Sequence, residues 1–311
     1  MTIPNIISNA LQALSYPTQP EGLYEPIRYT LSLGGKRLRP MLTLLGYGLY
    51  RDDLERALPA ALALETYHNH TLLHDDLMDN ADVRRGQPTV HRKWNANTAV
   101  LSGDTMLIMA CQKMMETPTP HLADLMTLFL RTQREICEGQ QYDVNFEART
   151  DVTVEEYIEM IRLKTSVLLA CALRSGALIA EAPEADQAQL YAFGEKLGLA
   201  FQLQDDYLDC YGDPAVFGKA TGGDIRCGKK TYMLISAVSR ASEADRHTLL
   251  TSRTPEEVLP LYERYGIPQL AKERINAYYD EAERCLSMVQ LPADRKQPLW
   301  DLAQSMLNRK K

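Results

Sequence analysis

Along most of this chain apolar residues recur three and four positions apart, and few stretches alternate in the way that signals a strand. The pattern predicts helices over 22–33, 38–50, 52–79, 95–116, 121–146, 153–181, 185–211 and 230–240, then several short helices to the end. The stretch 52–79, DDLERALPAALALETYHNHTLLHDDLMD, reads as one long helix with Pro59 in its first turns, where proline is best tolerated. At the usual rise per residue it would be about 40 Å long. Turn residues punctuate the breaks: GG at 34–35, RRGQP at 84–88, TPTP at 117–120, GDP at 212–214 and TGG at 221–223. No internal repeat, low-complexity tract or compositional linker divides the chain. The expectation is one all-α domain over 1–311, a large helical bundle.

Composition adds limits. The 311 residues are 45% hydrophobic and 24% charged, ample material for a sizeable core. A net charge of −7 argues against broad binding to nucleic acid or anionic lipid. The six cysteines stand apart from one another, which fits free thiols in a reducing compartment. The N-terminal segment lacks the charge and apolar run of a signal peptide, and no run is apolar enough to cross a membrane. A cytoplasmic location is expected.

Two acidic clusters share one spacing. Asp75, Asp76 and Asp79 lie in HDDLMD; Asp205, Asp206 and Asp209 lie in QLQDDYLD. On a helix, positions four apart share a face, so Asp75 and Asp79 point the same way and repel unless a cation lies between them. Hard oxygen ligands of this kind suit Mg²⁺, which is often shared with substrate phosphates. Either cluster alone could be a solvated acidic face. Both, however, close long apolar helices, where carboxylates oppose the helix dipole. Basic turns accompany them: Lys36, Arg37 and Arg39 in GGKRLRP, Arg84 and Arg85 in VRRGQ, and Lys219, Lys229 and Lys230 after the second cluster. Two acidic clusters with three basic turns suggest a cavity for two diphosphates and bridging metal. Lys164 and Thr165 sit within an apolar helix, where a buried lysine needs a partner. Gln202 lies one turn before Asp205, and the oxygens of Thr165 and Gln202 could stabilise a developing cation.

These elements resemble the trans-type polyprenyl diphosphate synthases, the family of farnesyl and geranylgeranyl diphosphate synthases. The matching segments are GGKRLRP at 34–40, His68, HDDLMDNADVRRGQPTVH at 74–91, SGD at 102–104, Lys164–Thr165, FQLQDDYLDCYGDPAVFGKATGGD at 201–224 and GKKT at 228–231, in the family's order. The resemblance implies an all-α bundle around a deep central cavity, a homodimer, and Mg²⁺, three ions per active site with substrate bound. It also implies roles. Asp75, Asp79 and Asp205 would hold Mg²⁺ against the allylic diphosphate, with Asp76 and Asp209 in support. Arg84, Lys164, Lys219 and Lys229 would contact that diphosphate. Lys36, Arg39, His68 and Arg85 would bind isopentenyl diphosphate, and Thr165 and Gln202 would face the allylic cation. The partners are then isopentenyl diphosphate and an allylic diphosphate of the dimethylallyl, geranyl or farnesyl type.

A growing product would run along the helix face below the first cluster, past Thr71, His70 and Tyr67. Tyr67 and His70 are three apart and share a face, so together they could form a floor that stops growth early. Met106, Ile108 and Met109 on the next helix could close the tunnel equally well. A C15 to C20 product is expected, a longer polyprenyl product being the alternative. Family short-chain members often carry aromatics just before the first cluster, where this chain has His70 and Thr71. A terpene cyclase would carry an Asn/Ser/Glu motif in place of DDYLD, and a non-catalytic subunit would lack one of the two clusters.

Overall fold

The computed structural model describes residues 2–212 and 221–307. The all-α expectation holds. Among the described residues the strands are one short antiparallel pair, Val83–Arg84 (β1) with Gln87–Pro88 (β2). The chain gathers into two compact units, Met1–Phe129 with Ala172–Pro183, and Leu130–Cys171 with Glu184–Lys311.

In the first unit α1 (Ile3–Gln12), α2 (Glu21–Ser32), α3 (Leu38–Gly48), α4 (Leu58–Met78), α5 (Val90–Lys93) and α6 (Ala96–Met115) follow in order. The helix α1 lies ahead of the first helix expected from the sequence. Every residue from Ala60 to Tyr67 in α4 is buried, which explains a segment apolar on all sides. It packs mainly on α6 and α3. The predicted helix 52–79 is shorter than expected. Leu54–Ala57 form a 3₁₀ turn and the α-helix begins at Leu58. Pro59 lacks an N–H and its ring would collide with the carbonyl four residues back, which disfavours an α-helix running through from 52. Glycine allows α3 to press against residues 172–179 of the same unit. A Cβ at Gly176 would lie 2.1 Å from the Thr43 carbonyl oxygen.

The second unit contains most of α7 (Leu122–Glu147), then α8 (Val154–Ile161), the start of α9 (Val167–Ile179) and all of α10 (Glu184–Tyr211). The final helices are not all short, as Ile267–Met288 runs 22 residues and packs along α10. Tyr157, Met160, Leu199, Leu203, Tyr262 and Ile267 belong to its core. The start of α8 is fixed by a capping box between Thr153 and Glu156, and Arg149 grips Glu156 from outside. The predicted helix 153–181 is interrupted by a π-helical turn, Arg162–Ser166, that contains Lys164 and Thr165. π turns inside α-helices commonly mark functional positions. Here Gly139 of α7 makes room for it, since a Cβ there would lie 2.4 Å from the Lys164 amide nitrogen.

Candidate active site

In the first unit the acidic cluster closes α4. Asp75 is half-buried, Asp76 is buried and Asp79 is exposed at the C-cap, with no basic residue in the last turn to offset the helix dipole. The middle carboxylate is committed. Arg84 donates to Asp76 Oδ1 from Nε at 2.9 Å and from Nη2 at 2.5 Å. Burial works against the Arg84 charge, yet Asp76, Asp75 and Asp79 outweigh it and raise its pKa.

Arg84 and Arg85 sit on the β1–β2 hairpin, which Tyr29 pins by donating to the Pro88 carbonyl at 2.7 Å. Arg85 adopts a left-handed backbone, φ 53°, and donates to the Gly34 carbonyl. Its guanidinium lies so near Gly35 that a Cβ there would meet it at 2.6 Å, and Gly35 itself has φ 118°. The GG of the first basic turn is therefore the seat of an arginine from another loop.

Arg37, also left-handed at φ 50°, caps α3 and donates to Glu65 of α4 and to the Leu31 carbonyl. Burial, helped by Arg85 and opposed by Glu65, brings the Arg39 guanidinium down to about 10. His68 lies among these groups. Burial first, and then Arg39, Arg85, Arg84 and Arg37, hold its pKa well below the usual value, so the imidazole is neutral. Four guanidinium groups around one neutral imidazole form an environment that favours an anion. Lys36 is exposed on the same turn.

Tyr67 and His70 share a face as expected, with rings 5.5 Å apart, and Tyr67 meets Phe129 edge-on at 5.6 Å. The His70 Nδ1 is 2.9 Å from the Gly103 carbonyl oxygen, and its ring lies 4.6 Å from His74. Thr71 is half-buried and donates to the His68 carbonyl at 2.8 Å. Met106 is buried, but Ile108 is 59% exposed. Ile108 therefore does not close a tunnel: one helical residue two positions from a buried one faces the other way.

In the second unit the buried member of the cluster is again the middle one. Asp206 accepts from the Tyr157 hydroxyl and from Gln202 Nε2 at 3.0 Å, and Thr165 donates to Gln202 Oε1 at 3.2 Å. Gln202 thus serves Asp206, one turn on, and links it to the π turn. Lys164 finds its partner in Asp143 of α7, at 2.6 Å. Asp205 is exposed and Asp209 half-buried. Asp209 Oδ2 accepts from the Asp224 amide at 2.9 Å, and Lys229 donates its amide to the Asp224 carbonyl at 3.0 Å. Burial and the neighbouring charge of Asp224 push the Asp206 carboxyl far above its usual range. Burial and Asp209 raise Asp224 to about 6, against the pull of Lys229. Lys219 lies outside the described residues.

Glu65, Tyr157 and Asp143 were not singled out by the sequence. Glu65 left a signal, an acid within ALALETYHNH, a run otherwise poor in charge. Tyr157 and Asp143 left none, because their partners are distant in the chain.

A cation fits the donor chemistry. All six motif side chains offer hard oxygen, and in the second unit the crowding that raises Asp206 and Asp224 would be relieved by a divalent cation. Among the described residues no three His, Cys, Asp or Glu side chains gather into a cage. Mg²⁺ does not require one, since it is usually held by one or two carboxylates with substrate phosphate and water.

Comparison with known proteins identifies the family. The family model described as Polyprenyl synthetase matches residues 20–260. A geranylgeranyl diphosphate synthase of Methanosarcina mazei is 41% identical over 77% of this chain and 74% of its own. A geranylgeranyl pyrophosphate synthase of Geoglobus acetivorans is 36% identical over 98% of this chain and 96% of its own. The crystal structure of a geranylgeranyl pyrophosphate synthetase from Pyrococcus horikoshii superposes with a TM-score of 0.90 at 34% identity, covering 99% of this chain and 95% of the other. The chain belongs to the polyprenyl synthetase family.

Proposed function

We propose that this prenyltransferase condenses isopentenyl diphosphate with a dimethylallyl, geranyl or farnesyl diphosphate to give a C15 to C20 prenyl diphosphate. The observation that carries the reading is the set of four guanidinium groups around neutral His68, on the unit whose helix α4 ends in Asp75 and Asp79. The relatives named as geranylgeranyl synthases favour the C20 end of that range.

In this reading Asp75, Asp79 and Asp205 hold Mg²⁺, three ions per site with substrates bound, and Asp76 and Asp209 support them. Bound Mg²⁺ supplies electrophilic stabilisation of the departing diphosphate. Arg84, Lys164, Lys219 and Lys229 bind that same diphosphate and favour breaking of the allylic C–O bond. Lys36, Arg39, Arg85 and His68 hold isopentenyl diphosphate, the neutral imidazole donating one N–H. The Thr165 and Gln202 oxygens face the allylic cation. The isopentenyl double bond forms the new C–C bond, and the released proton passes to the departing diphosphate. Tyr67, His70 and Thr71 form the product floor.

The two units work together as one synthase domain, in the cytoplasm. No described helix is long and apolar enough to cross a membrane. A homodimer is supported by Leu101, Ile108 and Met115, spaced seven apart along α6 and each 59–60% exposed. Mass spectrometry of products from each allylic primer, with and without a chelator, tests the reaction. A five-carbon extension abolished by chelation is expected. The absence of extension with every primer would overturn it.

A further inference from the structure

We infer that Glu65 is a positioning residue for the isopentenyl diphosphate subsite, an inference that rests on the function proposed above. Glu65 is 1% exposed in the middle of α4, among Ala63, Leu64, Thr66 and Tyr67, all buried. An ionised carboxylate there is costly unless partnered. Its partners are Arg37, which donates Nη1 to Oε1, and Asn69, whose Nδ2 donates to the same oxygen at 2.9 Å. The Oε2 atom is buried with no protein donor, and Nε of Arg39 is buried with no protein acceptor. The Glu65 charge also acts on Arg39 and Arg85, opposing the loss of charge that burial imposes on each.

The placement repeats a device already present in α4. Asp76 lies eleven residues on, three helical turns, and therefore on the same stripe as Glu65. Each is a buried acid that takes an arginine from a loop. Asp76 holds Arg84 of the hairpin, and Glu65 holds Arg37 of the first basic turn. Arg37 has a left-handed backbone, and its second nitrogen is spent on the Leu31 carbonyl at 2.7 Å, so it is occupied in fixing the turn. Lys36 and Arg39 stand on either side of it in sequence. Glu65 thereby orients that turn through Arg37. It also offsets repulsion among Arg37, Arg39 and Arg85 before any diphosphate arrives. Its action is on the isopentenyl subsite and not on the carboxylates at the end of α4.

Glu65→Gln keeps the shape and removes the charge. Calorimetric titration of the full chain with isopentenyl diphosphate, and separately with farnesyl diphosphate and Mg²⁺, reads the two subsites apart. Loss of a charge-assisted hydrogen bond should weaken isopentenyl diphosphate binding about ten- to hundredfold. Farnesyl diphosphate binding should stay within about twofold, and KM for isopentenyl diphosphate should rise with the affinity loss. Arg37→Met should give the same selective loss, and the double variant should be no worse than either single one. It carries the test if Glu65→Gln does not fold. Unchanged isopentenyl diphosphate binding in a folded variant, or equal weakening of both ligands, would overturn the positioning role. Wild-type protein that binds neither diphosphate would instead overturn the function on which it rests.

Discussion

Asp76 and Asp206 hold the same place in two copies of one D-D-x-x-D pattern, and both are buried. Their surroundings differ. Asp76 faces Arg84, a full positive charge that donates two hydrogen bonds to it. Asp206 faces neutral donors, Tyr157 and Gln202, and stands near Asp205 and Asp224. The middle carboxylate of the first cluster is thus balanced from within the protein. The second retains surplus negative charge, visible as raised pKa values for Asp206 and Asp224, although Lys229 acts on the latter. Identical spacing puts the same carboxylates on a helix face, but the neighbours decide whether the protein or an incoming cation neutralises them.

The largest test asks whether the two clusters are equal where metal binds. Asp75→Ala and Asp205→Ala should each lower turnover by about 10³-fold or more, roughly 4 kcal/mol, with the helical circular dichroism retained. Turnover near wild type in both would end the metal assignment and leave the comparison without functional meaning.

Acid should strain the first unit through His70. Burial first, then the neighbouring His74, lowers its pKa to about 4. The unfolded chain, near 6.5, takes up the proton first, so the stability contributed by neutral His70 is full above about pH 6.5 and fades as pH falls towards 4. The loss should approach ~3 kcal/mol in denaturant titrations, and His70→Gln should flatten the curve. An identical acid limb in the variant would show that the loss arises elsewhere.

Smaller still is the contrast between the middle carboxylates. Asp76→Asn strands Arg84 and should cost the metal-free chain about 2 kcal/mol. Asp206→Asn replaces a carboxyl that burial and Asp224 already push towards its neutral form, and should alter metal-free stability by less than about 1 kcal/mol in either direction. Thermal unfolding in chelator measures both, and equal losses would erase the distinction between the clusters. The finest effect is on product. Tyr67→Ala and His70→Ala should lengthen it by one or more five-carbon units on chromatography, and unchanged lengths in both would remove the floor.

Much of this was legible in the sequence. The helical spans came from apolar spacing, and α2, α3, α6, α7 and α10 lie within two residues of the predicted ends. The two clusters, the basic turns and Lys164–Thr165 were legible as motifs. The misses have local causes. Pro59 turned the head of the 52–79 helix into a 3₁₀ turn, and the π turn at Arg162–Ser166 leaves no mark on apolar spacing. Ile108 was assigned by proximity to Met106 and not by its own face.

Sequence alone determined the helical class, the order of the motifs and which side chains share a face, because periodicity is local to each helix. Only the tertiary structure decided that the middle aspartate is the buried one, and that Glu65 answers Arg37, Tyr157 answers Asp206 and Asp143 answers Lys164. Those partners lie 28, 49 and 21 residues apart. Spacing along one helix says nothing of what another segment brings to it. A buried charge finds its partner through packing.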